Sequence, residues 1–269
     1  MPTIQINNEN LFFDNVYYVH GTNGNDTTGT GSVITPFKTF TRAYNSCNLY
    51  NDAIYLMGDD NSNYLDYTAS INKNISIIGD GLTSKLHGSI TYTNYIWTSS
   101  TGNVKLYRLW LQAGQFFRSS PNIKNEWYNC VITVGIGLAS DTQTPISNRP
   151  LFQNCILDNR GTSYGYYRAN CYIENSIIIG KSDGWVDYGN NNGKTLKTTL
   201  NNNNFIEYTD EGKALPSSTT FSYTVNSDFT LSGVTWQNLG TGLNPDGSIA
   251  HIGIYGGIYA FGDWSISSY

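Results

Sequence analysis

Trp127-Tyr128-Asn129-Cys130-Val131-Ile132, Phe152-Gln153-Asn154-Cys155-Ile156-Leu157 and Ile173-Glu174-Asn175-Ser176-Ile177-Ile178 are three versions of one phrase. Each has an apolar residue, a variable one, an Asn, a small residue and two more apolar residues. A degenerate earlier version lies at Arg108-Leu109-Trp110-Leu111 and a weaker later one at Asn203-Asn204-Phe205-Ile206. Counted from Arg108 through the successive Asn markers, the steps are 21, 25, 21 and 28 residues. Recurrence every 20 to 30 residues or so, in segments rich in β-branched side chains, marks a stacked repeat in which no unit covers its own apolar face. Leucine-rich repeats share the period but need a Leu lattice; here Leu is scarce and Gly, Asn, Ser and Thr fill the intervals. The sequence therefore reads as an all-β, single-stranded parallel β-helix.

The recurring Asn has a mechanical reason. Each coil must bend sharply between two strands, and Asn tolerates the left-handed backbone region such a bend requires. Stacked Asn side chains can also bond one another from coil to coil, as amide ladders do. With the bend at Asn, alternation points Cys130, Ile132, Cys155, Leu157, Ser176 and Ile178 inward and Val131, Ile156 and Ile177 outward. That outward apolar row needs cover, either from a loop or from a neighbouring subunit, with a homotrimer as the expected assembly in the second case.

Composition narrows the partners. The chain has 269 residues, 21 of them Tyr, and is only 13% charged, which is the reverse of a disordered composition. A net charge of −5 without clustered Lys and Arg argues against nucleic-acid binding. No apolar run approaches the ~20 residues of a membrane span. The start, Met1-Pro2-Thr3-Ile4-Gln5, lacks the basic and apolar parts of a secretory signal, so the expectation is either a signal already trimmed away or release without one, as for a virion part on lysis. Four Cys without a Cys-x-x-Cys pair or a His cluster give neither a disulfide scaffold nor a zinc site, and no cofactor is implied. Cys130 and Cys155, in equivalent slots about 4.8 Å apart, read as stacked thiols filling the core.

Along the chain, residues 1–15 show no firm pattern, Val16-Tyr17-Tyr18-Val19 reads as a strand, and a glycine-rich loop follows from His20 to Gly31. Phe37, Phe40, Ala43, Tyr44 and Cys47 recur at helical spacing, predicting an amphipathic helix over 37–48 that caps the open end of the stack. Coils are expected at 53–57, 74–79, 86–92, 103–112, 127–133, 151–158, 171–180 and 199–208, with long loops at 133–150, 159–170 and 181–198. The organisation is thus an N-terminal strand and capping helix (1–50), coils (51–232) and a closing segment (233–269).

The combination Tyr17-Tyr18-Val19, Gly24-Asn25-Asp26, Gly31, Pro36-Phe37-Lys38-Thr39-Phe40, Ala53-Ile54-Tyr55-Leu56 and Ile75-Ser76-Ile77-Ile78-Gly79 resembles the opening of right-handed parallel β-helix proteins of the pectin-lyase-like superfamily. Asn244-Pro245-Asp246-Gly247-Ser248 with His251-Ile252-Gly253-Ile254-Tyr255-Gly256-Gly257 resembles the closing segment of secreted or phage-borne members. The resemblance implies the handedness of the coil and a phage tail or surface setting. It does not choose among lyase, hydrolase and adhesin, because this fold hosts all of them.

Candidate chemistry follows from the loops. A glycosidase needs two carboxylates ~5–9.5 Å apart, and Glu174 with Asp158, Asp183 or Asp187 supplies the acids on adjacent coils. Tyr128, Gln153 and Glu174 share one slot and only one of them is acidic, which departs from a calcium-dependent lyase. His20, His87 and His251 are scattered and form no triad pattern, and His251 is expected to bond within the closing segment. Trp185, Tyr164, Tyr166 and Tyr167 offer faces on which sugar rings could stack. Three readings result. The first is a non-catalytic virion or cell-surface protein that binds a host surface polysaccharide or receptor through loops 159–170 and 181–198. The second is a depolymerase on the same scaffold, and the third a structural part that contacts only other virion or surface proteins.

Overall fold

The computed structural model describes residues 1–7, 9–48, 50–58, 71–87, 98–99, 102–112, 118–119, 124–133, 138–139, 150–158, 160, 167–168, 171–180, 195–201, 204–208, 219–220, 222–233 and 239–261. The chain is mostly β, with a single α-helix, Phe40–Ser46, among the described residues. Its strands stack in parallel rows. The first row runs Val16–Val19, Asp52–Leu56, Ile75–Gly79, Val104–Tyr107, Glu126–Tyr128, Leu151–Gln153 and Tyr172–Glu174. The second runs Lys85–His87, Trp110–Gln112, Val131–Thr133, Ile156–Asp158 and Ile177–Ile179. Both rows end on one strand, Thr195–Asn201, which pairs with each of them in parallel. A third row, Thr98–Ser99, Arg118–Ser119, Leu138–Ala139 and Tyr167–Arg168, lies partly where sequence reading expects uninterrupted loops. Two-residue strands are too short to carry a period-2 signal.

The first and second rows meet at the recurring Asn. Asn129, Asn154 and Asn175 have φ of 51°, 54° and 50°, and Arg108 takes the same conformation at 55°. Without the bend the alternation could not divide one strand pair between two faces. Inward, Leu106, Trp127, Phe152 and Ile173 of the first row join Cys130 and Cys155 at the bends and Leu111, Ile132, Leu157 and Ile178 of the second row in one buried cluster. Trp127 and Phe152 stack with ring centroids 4.5 Å apart. All four cysteines are free and buried, as filler thiols should be. Burial, with Cys130 alongside, raises the Cys155 thiol well above its ordinary range, which leaves it unreactive.

The outward row is covered by the chain itself. Val131, Ile156 and Ile177 are buried with Phe229, Leu231, Ile252, Ile254 and Phe261. This row is therefore not free for a subunit interface. The hinge amides serve the same cover instead of bonding one another: Asn129 Nδ2 donates to Ile254 O (2.9 Å) and Gly256 O (2.6 Å), and Asn154 Nδ2 to His251 O (3.0 Å). Asn175 Nδ2 donates to Thr241 O (2.8 Å), and Phe261 lies under the Arg108 guanidinium at 5.8 Å. Residues 241, 251, 254–256 and 261 thus meet hinges 175, 154, 129 and 108 in turn, so the closing segment runs back along the hinges in reverse chain order. Such close approach excludes side chains: a Cβ on Gly256 would stand 1.9 Å from His251 O, and one on Gly253 (φ 77°) 2.7 Å from Ile177 Cδ1.

Inside this segment Asn244 Nδ2 lies 3.4 Å from His251 Nδ1, and Asn244 Oδ1 accepts from His251 N and Gly257 N. Burial lowers the His251 pKa, with Asp246 pulling weakly the other way. The folded state therefore prefers neutral His251. The stability this contributes is complete above the ordinary His value and is lost as pH falls through the lowered one. Melting temperature is expected to drop from pH 7.5 to 5.5 (roughly a unit either side of an ordinary His), and to drop less in His251→Gln.

Further segments cover the rows. Thr3–Ile6 and Glu9–Phe12 form an antiparallel hairpin that buries Ile4, Ile6 and Phe13 against Ala53, Ile78 and Tyr107 on the outer face of the first row. The segment without a firm pattern is thus a cover. The helix is shorter than the spacing predicts. Phe37 bridges Val19, and Asp26 accepts from Lys38 N and Thr39 N, so helical geometry begins only after Thr39, whose hydroxyl caps Arg42 N. At the other end, 199–208 is not a further coil. Asn204–Tyr208 turns back antiparallel on Thr195–Asn201, with Asn201 opposite Asn204, and so pairs an edge that would otherwise be open.

Candidate functional site

Glu174 ends its strand one residue before the Asn175 hinge, in register with Gln153 and Lys197. Its Oε1 accepts from Lys197 Nζ and Thr241 Oγ1, each at 2.7 Å, while Gln153 Nε2 approaches Oε2 at 3.4 Å. The carboxylate ties three successive passes to the closing segment. Asp158 lies in the second row, in register with Thr133 and Ile179, and is 8% exposed. Arg160 grips it at two points, Nε to Oδ1 at 3.0 Å and Nη2 to Oδ2 at 2.7 Å. Each acid therefore faces a base, and they stand in different rows. Asp183, Asp187, Trp185, Tyr164 and Tyr166 lie outside the described residues. Tyr167 contributes backbone to the third row, opposite Leu138. Among the described residues no three His, Cys, Asp or Glu side chains gather as metal ligands.

A different place offers a binding geometry. A cleft of about 430 Å³ opens where the end of the N-terminal hairpin meets the first row, with Phe12, Tyr50, Asn74, Asn103, Lys105 and Tyr107 in its lining. Phe12 is 58% and Tyr50 70% exposed, high values for aromatic side chains beside a cavity. Their positions are fixed by backbone: Asn51 Nδ2 donates to Phe12 O (3.1 Å), Asp14 N donates to Asn51 O (3.1 Å), and buried Phe13 anchors the turn. On the opposite wall, Asn74 and Asn103 sit at equivalent corners, where Asn74 Oδ1 accepts from Asn103 N (2.8 Å) and Asn103 Oδ1 from Lys124 N (2.9 Å).

Lys105 adds the cleft's charge. It lies 3.3 Å from Glu126, whose other oxygen holds Lys124 at 2.7 Å, leaving one excess positive charge in the cluster. Burial works to raise the Glu126 carboxyl, but hydrogen bonds and charge from Lys124 and Lys105 outweigh it and hold the group below its ordinary value. Sequence reading passes over this cleft because Phe12 and Tyr50 fall outside the recurring phrase, at the two edges of the capping region. The only available signal is the apolar run Leu11-Phe12-Phe13 in an otherwise polar start. Comparison with protein-family models, with curated proteins and with solved structures finds no match.

Proposed function

We propose that this chain is a right-handed parallel β-helix protein of a virion or cell surface that binds a host glycan or receptor without cleaving it. First-row strands that recur every 21–29 residues from Asp52 onward, with left-handed hinges between rows, support the coil. Low charge and the abundance of Tyr and Asn suit an exposed, uncharged contact surface. The observation that carries the binding reading is the pair of exposed aromatics, Phe12 and Tyr50, at a cleft whose other wall bears amides. Aromatic faces with adjacent polar groups match the two sides of a sugar ring. The paired state of Glu174 and Asp158 supports binding over cleavage.

Immobilised capsule or wall polysaccharide is expected to retain the protein with no new reducing ends or unsaturated products. The double variant Phe12→Ala/Tyr50→Ala is expected to weaken retention about tenfold, ~1.4 kcal/mol, while Glu174→Gln leaves it unchanged. Cleavage abolished by Glu174→Gln would instead make the protein a depolymerase. Retention lost in Trp185→Ala but kept in the double variant would move the contact to loop 181–198.

A further inference from the structure

The hydrogen-bonding character of the cleft narrows its ligand, an inference that rests on the glycan-binding reading above. Asn74 and Asn103 each commit the side-chain oxygen to a backbone N–H of the next pass. An amide whose oxygen is used presents its NH₂, which carries two donors and no acceptor. Neither amide nitrogen has a protein partner among the described residues, and the strands that follow these corners are neighbours in the first row, ~4.8 Å apart. Lys105, with half its side chain exposed, adds an ammonium. Asn51 spends one of its two N–H donors on Phe12 O, and Ser76 and Tyr107, whose hydroxyls can donate or accept, also line the cleft. Donors therefore predominate where Asn74, Asn103 and Lys105 line the cleft, and the apolar end of the hairpin, Leu11 and Phe12, lines it as well.

On a sugar bearing only hydroxyls each hydroxyl acceptor is also a donor, and the rim has no apolar projection. An acidic sugar would have to compete with Glu126 for Lys105. We propose that the cleft selects N-acylated sugars, the acyl carbonyl accepting from the Asn74–Asn103 pair and Lys105 while the acyl methyl packs beside Phe12 and the ring stacks on an aromatic face. The amides would then be matched by an acceptor that is not itself a donor, the complement a donor-rich wall favours.

Calorimetry on a panel of N-acetylhexosamine oligosaccharides, each matched by the plain hexose oligomer of the same linkage, tests the assignment. At least one acetylated member is expected to bind about tenfold or more tightly than its hexose match, since unmatched polar groups forfeit ~1 kcal/mol or more. Asn103→Asp keeps the oxygen that accepts from Lys124 N but replaces donors with acceptors. It is expected to erase the acetyl preference while the variant melts like the wild type. Equal binding of both members of every pair, or a preference untouched by Asn103→Asp, overturns the assignment and leaves glycan binding standing. Failure of every oligosaccharide and of the parent polysaccharides to bind overturns the glycan-binding reading itself.

Discussion

A chain ending at Gly233 is expected to lose cooperative melting and to come out of cells as aggregate or as a dye-binding, expanded species. Such a cut removes Ile252, Ile254 and Phe261 from the cluster that buries Val131, Ile156 and Ile177. Full burial of one large aliphatic side chain contributes about 1.5–3 kcal/mol, so exposing three of them forfeits roughly 5–9 kcal/mol. That is comparable with the entire stability of an ordinary domain, ~5–15 kcal/mol. The buried hinge amides would also lose their carbonyl partners, although water can replace them once the segment is gone. Size exclusion, hydrophobic-dye fluorescence and a thermal melt read the result together. A monodisperse product melting as the full chain does would mean that the closing segment is decoration and that the rows stand without it.

This dependence explains which parts of the molecule the sequence could announce. The hinges were legible because a left-handed residue between two strands is a local steric demand, met by Asn at 129, 154 and 175 whatever surrounds it. The inward residues follow from that position by alternation alone, and the outward row could be known to need cover for the same reason. What supplies the cover could not be read. Asn129 and Ile254 are 125 residues apart in the chain, and the bond between them depends on where a pattern-poor, glycine-rich segment comes to rest. Arg108 shows the limit from the other side: its place in the Asn slot is plain in sequence, whereas its duty, stacking over Phe261, needs the fold. The cleft is harder still. Its amides are ordinary corner residues, and it exists only because a hairpin from the start of the chain lies beside corners separated from it by more than one pass.

Replacement of Asn129 by Ala, Gly and Asp should separate the hinge's two duties. Gly keeps the left-handed backbone without a Cβ penalty but leaves Ile254 O and Gly256 O without the donor they now share, an expected loss of about 2–3 kcal/mol. Ala adds the steric penalty of a left-handed residue, roughly 1 kcal/mol more, for about 3–4 kcal/mol in all. Asp tolerates the backbone, yet it sets carboxylate oxygens against two carbonyls in a site where the wild-type residue is 2% exposed, so it should be the worst of the three. Denaturant midpoints at neutral pH give the ranking Asn, Gly, Ala, Asp from most to least stable. If Gly matched the wild type, the amide would be idle and the bend alone would account for the recurring Asn. If Ala matched Gly, the bend would be unimportant and the recurrence would belong to the closing segment's need for a donor. Only the full ranking supports a hinge that shapes the rows and holds their cover with the same side chain.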